Sequence, residues 1–178
     1  ELASHLSSIR LGDPLDELTT MGPLISADHL ARVESWTDRG LQDGATSHRI
    51  TCSSMPEGDG FYAAPSLFTD VTPEMPIAQE EIFGPVVAVA RFEAEAEAVQ
   101  VANQLRYGLT ASIWTENLRR AHRVAHAVEA GYVWVNDVGA HYPGMPFGGF
   151  KDSGIGREES AEEIASYTQT KSVHINFG

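Results

Sequence analysis

Two stretches of this chain place side chains at spacings that can do chemistry. Within Pro76-Ile77-Ala78-Gln79-Glu80-Glu81-Ile82-Phe83-Gly84-Pro85-Val86-Val87, two adjacent carboxylates precede an aromatic ring, a Gly-Pro turn and an apolar strand. A carboxylate offers only acceptors, so Glu81 suits a ligand diol. Phe83, two positions on, can cover a planar ring by stacking. The second stretch runs from Asn136 to Phe147 and carries Asp137, His141 and Tyr142 ahead of a Gly-rich segment, Gly148 to Gly156. Asp137 and His141 suit a polar or cationic ligand, or they bond to each other.

Weaker signals have blander readings. Lys151 and Arg157 offer charges to a phosphate, but the loop lacks the spacing of a phosphate-binding P-loop, so a structural turn is expected. His122 and His126 lie one helical turn apart; Arg123 stands where a metalloprotease helix needs Glu, and no metal is expected. Gly154-Ile155-Gly156 is too short for a dinucleotide fingerprint. Cys52 lies in a turn-rich stretch and reads as a structural or incidental thiol.

The elements that position these residues follow from periodicity. Leu2, Leu6 and Ile9 mark a short helix. Ser26 is a candidate N-cap for a helix carrying Leu30, Val33, Trp36 and Leu41, which ends near Gly44. Residues 48–52 suggest a strand, Pro56 to Gly60 a turn, and Ser66 to Phe68 a short extended piece. Residues 86–92 read as a buried strand, 94–105 as a helix, and 110–115 as a strand. Asn117 caps a helix with Leu118, Ala121, Val124, Ala125 and Val128 on its apolar face. Residues 132–136 follow as a third strand. This alternation predicts an α/β fold with a mostly parallel, twisted sheet flanked by helices, and a ligand site beyond the strands' carboxyl ends, where Asn136 lies. Gly148 and Gly149 are expected to supply backbone angles closed to other residues. Ser160 and Glu163 form a capping-box pattern before a helix through Tyr167. Val173, Ile175 and Phe177 alternate with polar residues as in a strand that needs a sheet edge.

Composition narrows the function classes. The 25 acidic and 12 basic residues give a net charge of −13, and with only two lysines, Lys151 and Lys171, this argues against nucleic-acid binding. One cysteine excludes an internal disulfide and fits a reducing compartment. No apolar run reaches the length of a membrane span. The opening, Glu1 to Leu6, reads as mid-helix without an initiator Met or signal-like segment, so the natural N-terminus is expected upstream.

The Glu80–Val87 pattern and Pro146-Phe147-Gly148-Gly149-Phe150-Lys151-Asp152-Ser153-Gly154 together resemble the aldehyde dehydrogenase superfamily. The resemblance runs along essentially the whole chain, which looks like the C-terminal portion of such a catalytic domain. It implies that Glu81 accepts hydrogen bonds from the nicotinamide ribose of NAD or NADP and that Phe83 lies beside the nicotinamide. It further implies that Asn136, Asp137 and His141 line the aldehyde tunnel and that Phe147 packs near the substrate and the catalytic thiol. The sheet topology then brings Glu81, Phe83 and the 136–147 stretch to one mouth.

In the family the nucleophilic cysteine, the general base and the Rossmann-type domain lie upstream. No catalytic residue is therefore expected among these 178 residues, and the chain alone is not expected to oxidise aldehydes. The implied parent is a cytoplasmic, NAD(P)-dependent, non-acylating enzyme acting on a small-molecule aldehyde. A CoA-acylating semialdehyde dehydrogenase and a non-catalytic assembly module or truncated homologue are the alternatives. The expected organisation is residues 1–169 as part of the catalytic domain and 170–178 as an oligomerisation strand, with residues 171–177 joining subunits of a homo-oligomer.

Overall fold

The computed structural model describes residues 1–178 except 55, 57 and 59, with Arg49 described by its backbone alone. The turn expected at Pro56–Gly60 therefore lies partly outside the described residues. The chain divides into two compact units, Glu1–Phe92 and Glu93–Gly178.

The first unit opens with α1 (Leu2–Ser7) and continues into α2 (Ala27–Gln42). Ser26 caps α2 as its sequence suggests, its hydroxyl accepting from the His29 amide at 3.2 Å. Asp43 is the C-cap, and Gly44 follows at φ +96°, a left-handed turn suited to glycine. Strands β1 (Thr46–Arg49), β2 (Ser66–Thr69) and β3 (Val86–Ala88) form one sheet in that order, with α3 (Pro76–Gln79) between β2 and β3. β1 runs antiparallel to β2, and β3 runs parallel to it.

The core of this unit gathers Val33, Ala45, Phe68, Val71, Ile77 and Ile82, with Phe68 fully enclosed. Gly40 lets α2 approach this core: a Cβ there would meet Ile77 Cδ1 at 2.6 Å and Phe68 Cε1 at 3.2 Å.

The second unit contains α4 (Glu95–Asn103), β4 (Tyr107–Gly108), β5 (Thr110–Ile113), α5 (Leu118–Ala127), β6 (Tyr132–Val135), β7 (Phe150–Lys151) and α6 (Ala161–Ser166). β5 and β6 pair in parallel across α5, and β4 pairs antiparallel with β7. Asn117 caps α5, its Oδ1 accepting from the Arg120 amide at 3.0 Å. Glu95 ties α4 to α5 by accepting from Arg123 Nη2 at 2.8 Å and standing 3.3 Å from Arg120 Nε. Ala94, the N-cap of α4, has no side-chain acceptor, and Glu97 reaches back to accept from the Glu93 amide at 2.8 Å and the Ala94 amide at 3.4 Å.

The α/β class holds, but several finer expectations do not. Within the first unit residues 86–92 supply only the short β3, which pairs with β2, and within the second β5 pairs with β6. In the first unit β2 is the central strand, with Leu67 and Phe68 buried, and β3 lies at the edge of that sheet. β3 ends at Ala88, with Val86 and Val87 only half-buried and Phe92 exposed. The strand expected at residues 48–52 lies at Thr46–Arg49.

The Ser160 capping box is also displaced. Its hydroxyl is buried without a partner among the described residues, and Glu163 accepts from the Glu159 amide at 2.8 Å instead. Residues 168–178 form neither helix nor strand in the single chain, and Val173, Ile175 and Phe177 are exposed. Among the described residues no helix is long and apolar enough to cross a membrane.

Candidate functional site

In the first unit, the loop after α3 carries Glu81 and Phe83. Ile82 points into the core at 8 % exposure while Phe83 is 68 % exposed, so the chain's alternation turns the ring outward. Phe83 sits at φ +58°, in the left-handed region that a bulky side chain rarely adopts. Two residues of α2, three positions apart, hold this backbone. His29 Nε2 donates to the Phe83 carbonyl at 2.8 Å, and Arg32 Nη2 donates to the Glu81 carbonyl at 3.2 Å. Gly84 completes the fit, because a Cβ there would meet Val33 Cγ2 at 2.5 Å. The result is an exposed carboxylate, Glu81, and an exposed ring on a fixed backbone. Acceptors and a flat apolar face are what a ribose diol and an aromatic heterocycle require.

In the second unit, Asn136 follows β6 at φ +56°. Its side chain is committed to Thr115: Oδ1 accepts from the Thr115 amide at 2.8 Å and Nδ2 donates to the Thr115 carbonyl at 2.9 Å. The amide thus extends the β5–β6 ladder by one rung, which makes Asn136 an anchor for the loop that follows. Asp137 and His141 do not bond to each other. Asp137 Oδ1 accepts from the Val138 amide at 2.8 Å, and His141 Nδ1 lies 2.8 Å from Glu159 Oε1.

The loop then folds back over β6. Trp134 Nε1 donates to the Ala140 carbonyl at 2.7 Å, and Tyr132 Oη lies 3.2 Å from Met145 Sδ. His141 packs on Phe147 with ring centroids 4.7 Å apart, on Tyr132 at 5.6 Å and on Trp134 at 5.9 Å. Burial pushes the Tyr132 phenol above its ordinary value, with the charges of Glu159, Tyr142 and Asp137 adding to it. Tyr132 therefore stays a donor at neutral pH.

The Gly-rich segment behaves as a structural turn. Lys151 Nζ donates to the carbonyls of Asn103 at 2.7 Å and Leu105 at 3.0 Å, and it pairs with Glu129. Arg157 donates to the carbonyls of Gly149 and Gly156. The expectation for Gly148 and Gly149 needs correction, since neither has a positive φ. Crowding demands glycine instead: a Cβ on Gly148 would meet the Gly156 carbonyl oxygen at 2.5 Å, and one on Gly149 would meet Ser153 Cβ at 2.5 Å.

The profile of the aldehyde dehydrogenase family matches residues 1–173. The chain belongs to the aldehyde dehydrogenase family. It is 46 % identical over 176 residues to aldehyde dehydrogenase tropH of Talaromyces stipitatus, covering 95 % of this chain and 34 % of that relative. Among solved structures it is similar to the NAD+ complex of an aldehyde dehydrogenase from Bacillus cereus, with a TM-score of 0.90 and 40 % identity over 99 % of this chain and 36 % of that one. It is also similar to an indole-3-acetaldehyde dehydrogenase variant from P. syringae in complex with NAD+ and IAA, with a TM-score of 0.86 and 43 % identity over 92 % of this chain and 33 % of that one. The chain spans about a third of the length of the relatives it matches.

Three residues that support the two loops escape a reading by motif. His29, Arg32 and Glu159 act through backbone carbonyls or a neighbouring imidazole, and their only sequence trace is polar character beside a recognisable cap. The single thiol, Cys52, borders a cavity of about 440 Å³ and is pushed above its ordinary value by burial. That is the opposite of an activated nucleophile. His122 and His126 stack with centroids 6.4 Å apart, and among the described residues no three metal-capable side chains gather.

Proposed function

We propose that this chain forms the C-terminal part of the catalytic domain of an NAD(P)-dependent aldehyde dehydrogenase that oxidises an aldehyde to a carboxylic acid. The observation that carries this reading is the outward-facing pair Glu81 and Phe83 on a backbone locked by α2, in a chain whose family match covers residues 1–173.

Glu81 would accept from the hydroxyls of the nicotinamide ribose, and Phe83 would lie against the ring. When bound, the cofactor accepts the hydride. The protein's part is to hold it in one orientation against the aldehyde. Asp137, His141 and Phe147 would border the aldehyde, and Asn136 would fix the loop that presents them. Burial raises the Cys52 thiol above its ordinary value, which suits it poorly to attack on an aldehyde, and the family resemblance puts the nucleophile and base outside these residues. The 178 residues alone would then yield no NADH. A homo-oligomer joined through residues 171–177, with residues 170–178 as its connecting strand, and a cytoplasmic setting complete the proposal. The exposed alternating tail supports the first, and the single cysteine agrees with the second.

The test is steady-state NADH formation by the intact enzyme containing this chain, with NAD and NADP compared. Glu81→Gln and Phe83→Ala should each raise the cofactor KM while leaving the aldehyde KM nearly unchanged. Wild-type cofactor kinetics in both variants would overturn the cofactor assignment. A product that forms only with CoA would favour the acylating alternative, and an intact protein inactive with either cofactor would favour the non-catalytic one.

A further inference from the structure

Glu159 uses every polar group it has on the 136–147 stretch or on its own support. Its carboxylate accepts from His141 Nδ1 at 2.8 and 3.0 Å. Its carbonyl accepts from the Gly144 amide at 2.8 Å, and its own amide donates to Glu163 Oε2 at 2.8 Å. The residue sits at φ +60°, in the left-handed region, and is not glycine. Such a conformation persists where the surroundings over-determine it, and it clusters at ligand clamps. Beside it, Glu158 and Phe147 exchange both backbone hydrogen bonds, at 2.7 and 3.0 Å. The loop is thus gripped from α6's side at His141, Gly144 and Phe147, and from β6's side by Trp134 at Ala140.

The consequence falls on His141. Nδ1 is committed to a carboxylate, and the ring is wedged among Phe147, Tyr132 and Trp134. Nε2 is left as the ring's remaining polar atom, and the His141 side chain keeps 36 % of its surface open. A carboxylate on one nitrogen of an imidazole fixes the ring's orientation and its tautomer. We propose that Glu159 is a positioning residue that holds His141 as the polar, specificity-setting group of the aldehyde-facing loop. An aldehyde whose far end can hydrogen-bond is favoured over an alkyl aldehyde of the same length, because Nε2 offsets the cost of burying the polar end that the aromatic walls alone would penalise. This rests on the reading of residues 136–147 as aldehyde-facing.

The experiment measures kcat/KM of the intact enzyme for an ω-hydroxyaldehyde and the n-alkyl aldehyde of matching length. Glu159→Ala should raise the KM for the hydroxyaldehyde roughly tenfold, the scale of one charge-assisted hydrogen bond lost. The alkyl aldehyde and NAD should keep their KM values. Glu159→Gln retains an acceptor for Nδ1–H and should recover most of the discrimination. His141→Phe keeps a packed ring without polar atoms, and should lose the preference even if Glu159→Ala fails to fold. Preference unchanged in His141→Phe, or a Glu159→Ala defect shared equally by both aldehydes and NAD, would overturn the proposal. Phe147→Ala separates the two levels. If it leaves aldehyde kinetics untouched, the reading of the loop fails. If it raises aldehyde KM while the Glu159 and His141 variants are silent, only this inference fails.

Discussion

His29 Nε2 donates to the carbonyl of Phe83 at 2.8 Å, and the ring nitrogen on the other side, Nδ1, is buried without a partner among the described residues. The imidazole therefore spends its one reliable bond on a backbone that is otherwise unfavourable, since a non-glycine residue in the left-handed region costs about 1–2 kcal/mol. Stability and cofactor binding should move in opposite directions at Phe83. Phe83→Gly relieves the backbone and loses little burial from a 68 % exposed ring, so thermal stability should hold or rise while cofactor affinity falls. His29→Leu removes the restraint and should lower both, stability by about 1 kcal/mol. Thermal melts and cofactor titrations of the two variants check the pattern. A Phe83→Gly protein that melts well below wild type would show that no strain resides there.

Much of this was legible in the sequence, because the signals were local. Ser26 and Asn117 cap the helices they precede, as side-chain acceptors at helix starts do. The exposed ring of Phe83 beside buried Ile82 follows from neighbouring side chains facing opposite ways. Sheet membership was not legible. Periodicity suggests a strand at 86–92 but not its partner, and the burial of Phe68 against Val33 of α2 and Ile77 of α3 is something a four-residue segment does not advertise. The supporting residues were hidden for a similar reason. His29 and Arg32 bond to carbonyls about fifty residues away, and any side chain can present a carbonyl, so no motif marks them. Glu159 is one charge among several in an acidic run, and nothing in its spacing marks it.

Asn136 combines a positive φ with two hydrogen bonds to Thr115, and the two roles are separable. Asn136→Gly satisfies the backbone and loses the bonds, whereas Asn136→Ala loses the bonds and keeps the strain. Asn136→Ala should therefore be the more destabilising, by about 1–3 kcal/mol against wild type. Asn136→Gly should fall between them. Denaturant midpoints rank the three proteins, and equal midpoints for the alanine and glycine variants would deny the conformational contribution.

Glu95 gives the fold an acid sensitivity. Its carboxyl lies below its ordinary value chiefly because Arg123 hydrogen-bonds to it, with Arg120 contributing and partial desolvation opposing. A carboxyl lowered on folding adds stability above its unfolded value of about 4.5, and that contribution is lost as pH falls through the folded value. Glu95→Gln should be less stable than wild type at neutral pH, and the gap should close on acidification. Melting temperatures measured from pH 7 to pH 3 test this, with a constant gap as the contrary result. The effect should be small, since the pair is solvent-accessible and salt-screened.

The tail carries the last prediction. Val173, Ile175 and Phe177 are 70 %, 65 % and 94 % exposed in the isolated chain, and no strand of this chain pairs with them among the described residues. Val173, Ile175 and Phe177 alternate with Ser172, His174 and Asn176, so on forming a strand the three would share one face, and a second subunit's sheet edge would satisfy its backbone groups. Removing residues 171–177 from the intact enzyme should lower the molar mass seen by light scattering without unfolding the core, because none of these residues contributes to the buried cluster around Phe68. Replacing Val173 and Ile175 with Asp tests the same surface without shortening the chain, since a charge on the covered face opposes docking by desolvation. If both proteins keep the wild-type mass, residues 171–177 do not join subunits.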